Sequence, residues 1–201
     1  MAVSRVKTSS ILQGFPKSRS LLAGNTAYDP AATFLIQRVA GTGTSSITFS
    51  SIPSTYKHLQ IRWMARSLRV GVSDNLNIQF NSDTSTNYAP HYLAGDGASA
   101  SAGSNGANYT QIDAFNSVRA SGSSNTNTCG VGIIDIHDYA STTKNKTVRV
   151  FSGWDFNGTG YSVLSSGVWL NSSTAISSII LKSDGNNFAT NSTFALYGMK
   201  G

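Results

Sequence analysis

The sequence contains no glutamate. All nine acidic residues are Asp, and charged residues of both signs make up only 12% of the 201 residues, about half the share usual in a globular protein. A coiled coil, a helical bundle and an acidic disordered tail all need denser charge, so all three are excluded. The single cysteine, Cys129, excludes an internal disulfide and a cysteine metal cluster. Its apolar run Cys129-Gly130-Val131-Gly132-Ile133-Ile134 reads as the setting of a buried, inert thiol. No apolar run approaches the roughly 20 residues of a membrane helix. The basic N-terminus has no continuous apolar stretch or small-residue cleavage site, so no signal peptide is expected.

What fills the chain instead is Ser, Thr, Asn and 19 Gly, with 39% hydrophobic residues to form a core. Short uncharged polar side chains form helices poorly and suit strands and turns. From Thr33 onward the apolar residues alternate. Phe34-Leu35-Ile36 opens a strand that turns at Gly41-Thr42-Gly43, and Ile47 and Phe49 mark the next. Leu59, Ile61 and Trp63 share one face of a third strand, with His58, Gln60 and Arg62 on the other. Strands follow at 75–81, weakly around Ile112 and Phe115, at Gly130–Tyr139 as a buried strand, and at Thr147–Gly153, where Val148 and Val150 oppose Arg149 and Phe151. Tyr161–Leu170, Ile176–Leu181 and Thr193–Met199 complete about ten. The segments 94–108 and 121–128 lack apolar period and read as loops. Many short strands with Gly-rich turns and no amphipathic helix predict an all-β, jelly-roll-like antiparallel β-sandwich over 33–201.

The first 32 residues differ. Gly14-Phe15-Pro16 and Gly24-Asn25 interrupt any helical period, and Tyr28-Asp29-Pro30 closes the segment in an extended form. Residues 1–73 hold nine Lys and Arg against one acid, and residues 74–201 hold six against eight. A basic leader suits phosphates or an acidic protein surface. Here Arg5, Lys7, Lys17 and Arg19 are interleaved with Ile11, Leu12, Phe15, Leu21 and Leu22. Apolar side chains are idle against phosphate and useful in protein grooves. Residues 1–32 therefore read as an extended N-terminal arm that docks on protein, with no nucleic-acid or membrane partner expected.

Catalytic signals are weak. Asp135 and His137 share a strand face, but a metal site needs two further donors, so a structural hydrogen bond is the better reading. Gly41-Thr-Gly43-Thr-Ser-Ser46 lacks the Lys and the helix of a phosphate loop. Asp96 and Asp113 can be nominated as a carboxylate pair only arbitrarily. No enzyme, cofactor or metal is expected. The sequons at Asn108, Asn145, Asn157, Asn171 and Asn191 read as turn and strand residues. Tyr88, His91, Tyr92, Asp96, Tyr109, Trp154 and Tyr161 fall in or near predicted loops, where rings and amides can stack on and hydrogen-bond a host surface glycan. The alternative is that these rings cap the core or fill an oligomer interface.

One resemblance covers nearly all of 33–201. It is carried by Phe34-Leu-Ile-Gln37, Ile47-Thr-Phe-Ser-Ser-Ile-Pro53 and Tyr56-Lys-His-Leu-Gln-Ile-Arg62, then by Leu76-Asn-Ile-Gln-Phe-Asn81 and Asn87-Tyr-Ala-Pro-His-Tyr92. Further on it runs through Ile134-Asp-Ile-His-Asp-Tyr139, Ser166-Gly-Val-Trp169 and Phe194-Ala-Leu-Tyr-Gly198. In this order the segments resemble small virion structural proteins of tailed bacteriophages, especially cyanophages. The resemblance implies a non-enzymatic protein on the outer surface of the particle, usually a homotrimer. It would be a capsid decoration or cement protein on the major capsid protein, or a tail fibre on a tail or baseplate protein.

Overall fold

The computed structural model describes residues 33–104, 106–120, 127–184 and 186–201. The chain divides into two units, 1–32 and 33–201. The expected docking residues Arg5, Lys7, Ile11, Leu12, Phe15, Lys17, Arg19, Leu21 and Leu22 lie outside the described residues.

Among the described residues there are twelve strands and no helix. They are β1 (Thr33–Ala40), β2 (Ser46–Phe49), β3 (His58–Ser67), β4 (Ser73–Phe80), β5 (Tyr88–Gly95), β6 (Ala100–Ser104), β7 (Ile112–Ala120), β8 (Gly130–His137), β9 (Lys146–Asp155), β10 (Gly160–Trp169), β11 (Ile179–Ser183) and β12 (Thr193–Met199). Eight of them form a large antiparallel run in the order β1-β12-β3-β8-β9-β10-β5-β6. Four form a smaller antiparallel run, β2-β11-β4-β7. The two join where the end of β3 pairs in parallel with β7, Arg66 to Arg119 and Ser67 to Ala120, so the sheet as a whole is mixed.

The alternation along each strand decides what lies between the layers. Leu59, Ile61 and Trp63 of β3, Ile134 and Ile136 of β8, Val148 and Val150 of β9 and Trp169 of β10 are buried in one cluster with side chains of the small run. Those are Ile47, Phe49, Leu76, Ile78, Phe80, Ile112, Ile179 and Leu181. Each fully buried side chain of this size contributes roughly 1.5–3 kcal/mol relative to exposure. The layering is sandwich-like.

Two strands were not expected. Tyr88-Ala-Pro-His-Tyr92, placed above in or near a loop, lies within β5, and the predicted loop over 94–108 contains β6. Pro90 sits beyond the reach of β6, which pairs only from His91 to Gly95. There β5 has an open side, where a missing N–H is tolerated. β6 is Ala-Ser-Ala-Gly-Ser and exposed along most of its length, so it carries no apolar period. Its Gly103 faces Tyr92, whose ring a Cβ would meet at 2.7 Å. β8 also departs from expectation: Ile134 and Ile136 are buried, but Val131 is 52% exposed. The weak pattern around Phe115 has a local cause. Asn116 takes φ 43°, β4 and β7 shift register between Asp74 and Leu76, and the strand changes phase. Asn108 and Asn157 also take positive φ, as turn residues do.

Candidate functional site

The solvent face of the large run is built from the outward phase of its strands. Antiparallel register places Ile133, Phe151, Leu164 and Leu93 side by side on β8, β9, β10 and β5. Phe151 is 60% exposed, Leu93 54% and Leu164 45%. These four side chains form an apolar ridge across the strands. One step further along, the same four strands bring Val131, Gly153, Ser162 and Gly95 into line. Two glycines and a serine leave that row low, and it becomes a trough beside the ridge. A cleft of about 690 Å³ lies over it, lined by Gly95, Asp96, Val131, Gly153, Asp155, Gly160, Tyr161 and Ser162 among others. An adjoining apolar hollow of about 450 Å³ extends past Ile133 and Phe151 to Arg62 and Trp63. On the opposite flank of the ridge, His91, Tyr92, Arg149 and Ser166 line a third hollow of about 370 Å³.

The predicted contact residues divide among these places. Asp96, Trp154 and Tyr161 meet in the large cleft, and His91 and Tyr92 meet in the hollow on the opposite flank. Tyr88 is not on the surface: it is fully buried, and its hydroxyl accepts the Phe80 N–H at 3.1 Å. Burial pushes its pKa up to about 12. Tyr109 is half-buried and bridges to Tyr88 through two backbone hydrogen bonds, Tyr88 N–H to Tyr109 O and the reverse. Tyr92 turns inward and stacks on Phe115, ring centroids 3.9 Å apart.

Trp154 lines the cleft but is fixed to the core. It is 5% exposed, its indole N–H donates to Asn116 O at 2.9 Å, and the Arg119 guanidinium lies 5.0 Å over the ring. Tyr161 packs against it, with centroids 5.5 Å apart, and is half-buried. Of the predicted rings, Tyr161 is the one left to line the cleft as a surface aromatic. Asp96 is exposed, and N–H donors from Ser99 and Ala98 hold its carboxyl below the ordinary range while closing the β5–β6 turn.

Asp135, on this face, is committed to structure. Burial alone would raise Asp135, but hydrogen bonds from Arg149 at 2.8 Å and Gln60 at 2.9 Å outweigh it and hold it low. Its strand-mate His137 packs against His58, with ring centroids 4.7 Å apart. Among the described residues no three His, Cys, Asp or Glu side chains are grouped to hold a metal. Asp113, on β7, accepts from Gln111 and does not line the cleft that Asp96 lines. Burial raises the Cys129 thiol, which makes it a poorer nucleophile.

The ridge lies on strands and not in the predicted loops. Its signal was present in β9, where Phe151 occupies the polar phase of an alternating strand. A large aromatic in that phase faces water by parity. The arrangement is an apolar crest beside a glycine-floored trough with charges at its margins. The chain matches no family model, no curated protein and no solved structure.

Proposed function

We propose that this chain is a non-enzymatic structural protein of a tailed-phage particle, a capsid decoration or cement protein attached through residues 1–32. The sandwich is the displayed part, and its jelly-roll-like character is supported by the path of the chain. β2, β4, β7 and β11 lie in the small run, whereas the strands before and after each belong to the large one, so the chain crosses repeatedly between layers. The observation that carries the reading is the exposed ridge of Leu93, Leu164 and Phe151 beside half-buried Ile133. Contiguous exposed apolar surface marks an interface with another macromolecule, and a cementing protein works by such contacts. The cationic, apolar leader supports the same reading, because an ordered arm offsets roughly 1–2 kcal/mol of backbone entropy per residue only by inserting side chains into a partner.

A second reading, a short tail fibre that contacts a host glycan, is favoured by one feature. Asp96 and Tyr161 line the large cleft together, offering an acceptor and a ring edge to a sugar. Copy number per particle separates the two. Quantitative mass spectrometry of purified particles is expected to find on the order of hundreds of copies, as repeated shell contacts require; about a dozen would favour the fibre. Deleting residues 1–25 is expected to abolish particle binding while leaving 33–201 folded. Particles decorated at full occupancy by that truncated protein would show that the arm is not the anchor.

A further inference from the structure

Strand register joins the ridge to two arginines. Arg38 of β1 stands opposite Ala195 of β12, Ala195 opposite Arg62 of β3, and Arg62 opposite Ile133 of β8. The row then continues through Phe151, Leu164 and Leu93, the crest described above. Residues directly opposite one another in an antiparallel sheet share a face. One row is therefore cationic over β1, β12 and β3 and apolar over β8, β9, β10 and β5. We infer that this row binds an extended segment of another protein, with a carboxylate seated between Arg38 and Arg62 and apolar side chains along the crest. The inference rests on the reading of this face as an interface and gives the partner its chemistry.

The cationic end suits an anion. Ala195 presents only a methyl group between the two arginines, and a hollow of about 350 Å³ opens there, lined also by Leu35, Met64 and Tyr197. No acidic side chain lines it. The Arg38 side chain is exposed and makes no ion pair among the described residues. Arg62 is held in place: its Nε donates to Gln60 Oε1 at 2.9 Å, and its guanidinium lies 5.4 Å over the Tyr197 ring. Gln60 also donates to Asp135, but that carboxylate is already paired with Arg149 at 2.8 Å. Two guanidiniums, neither with a carboxylate of its own, favour a ligand that accepts charge-assisted hydrogen bonds from both.

The apolar end selects the class of partner. Past Arg62 the row meets the hollow of about 450 Å³ beside Ile133 and Phe151, which also has no acid in its lining. A nucleic acid would engage the two arginines through phosphates and leave Phe151, Leu164 and Leu93 idle. Sugar rings stack on aromatic faces, whereas Ile133, Leu164 and Leu93 are branched aliphatics. Residues 1–32 carry four cations against one acid, the wrong sign for the arginines. A protein segment with a carboxylate at one end and apolar side chains after it matches both halves of the row. Sheet twist turns the outward direction by roughly 20–25° at each strand. A pliable segment follows that winding, and a rigid flat surface does not. Six strand steps at roughly 4.8 Å span about 29 Å, the length of about nine extended residues.

The test uses the full chain and rhodamine-labelled nonapeptides with two aspartates at one end, first or last, and alternating leucine and serine over the rest. Anisotropy titration is expected to give a dissociation constant on the order of 100 µM for one of the two orientations. Arg38→Glu and Phe151→Ser are each expected to raise it roughly tenfold or more. A peptide with lysines in place of the aspartates should bind only the double variant Arg38→Glu, Arg62→Glu. Circular dichroism melts check that the variants stay folded, and Arg38→Glu has no ion pair to lose. Acidic peptides that bind parent and variants alike are held elsewhere on this basic chain, and the inference fails. It fails equally if oligogalacturonate binds in an Arg38-dependent way and no peptide does, or if Arg38→Glu instead dissociates an oligomer of this chain. Particles fully decorated by a chain that binds no peptide sink this inference and leave the virion reading standing. Peptide binding by a chain absent from particles does the reverse.

Discussion

The indole N–H of Trp169, at the end of β10, donates to a carboxylate oxygen of Asp83, in the turn after β4, at 2.8 Å. The turn that leaves the small run is thereby tied to the large one. Trp169 is 1% exposed and also stacks on Tyr88, with centroids 6.4 Å apart, so the bond sits at the edge of the core. Burial would raise Asp83, but hydrogen bonds from Trp169, the Ser85 N–H and Asn87 outweigh it and bring its pKa down to about 2.

A depressed carboxylate stabilises the fold above its unfolded pKa, and the contribution is lost as pH falls through the folded one. For Asp83 the window runs from the ordinary value of 3.8 down to about 2. Asp83→Asn is expected to cost about 1–2 kcal/mol at neutral pH. It should also flatten the loss of stability across that window. Urea titrations of both proteins at several acid pH values check this; equal slopes would remove Asp83 from the account.

The same sign applies to His58 at higher pH, with a cationic rather than a neutral protonated form. Its Nδ1 accepts the Asp138 N–H at 3.1 Å, so the folded ring is neutral at that nitrogen. Burial first, then His137, lowers its pKa from the ordinary 6.5 against the pull of Asp138, and Lys57 lowers it further. The unfolded chain therefore binds a proton that the folded one resists. Stability is complete above 6.5 and declines as pH falls below it toward the lower folded value. His58→Asn retains an acceptor without the titration. It should melt at a temperature nearly independent of pH between 6.5 and about 5, where the parent protein loses stability.

Gly198 is a packing requirement. A Cβ there would lie 2.3 Å from the Tyr56 ring, which in turn rests against Phe34 at 5.9 Å. Gly198→Ala is expected to destabilise by about 1–3 kcal/mol through overpacking. A second change, Tyr56→Leu, should recover part of that loss. Calorimetric melts of the two single variants and the double variant test the coupling; additive losses would contradict it.

Trp154 and Tyr161 line one cleft with different roles. Trp154→Ala removes a core side chain, its bond to Asn116 O and its contact with Arg119. It should cost about 3–5 kcal/mol. Tyr161→Ala should cost under about 1.5 kcal/mol, since its ring is only half-buried. If the cleft holds a sugar, Tyr161→Ala is the variant that abolishes binding on a glycan array while remaining folded.

Alternation alone located ten strands, because a residue's partition between core and water repeats every two positions wherever one face of a strand is buried. The inward phase at Leu59, Ile61 and Trp63 and the outward phase at Phe151 were both legible for that reason. β5 and β6 were not, because Pro90 and the small side chains of β6 suppress the period; their pairing depends on β10 offering an edge and on Gly103 accepting the Tyr92 ring. The sandwich-like, all-β class and the phase of most strands were thus set by the order of residues in the chain. Which outward residues become neighbours was decided only by register between strands distant in sequence. Leu93 and Leu164 are 71 positions apart and stand side by side, and only such long-range pairing could turn scattered exposed side chains into a crest beside a trough.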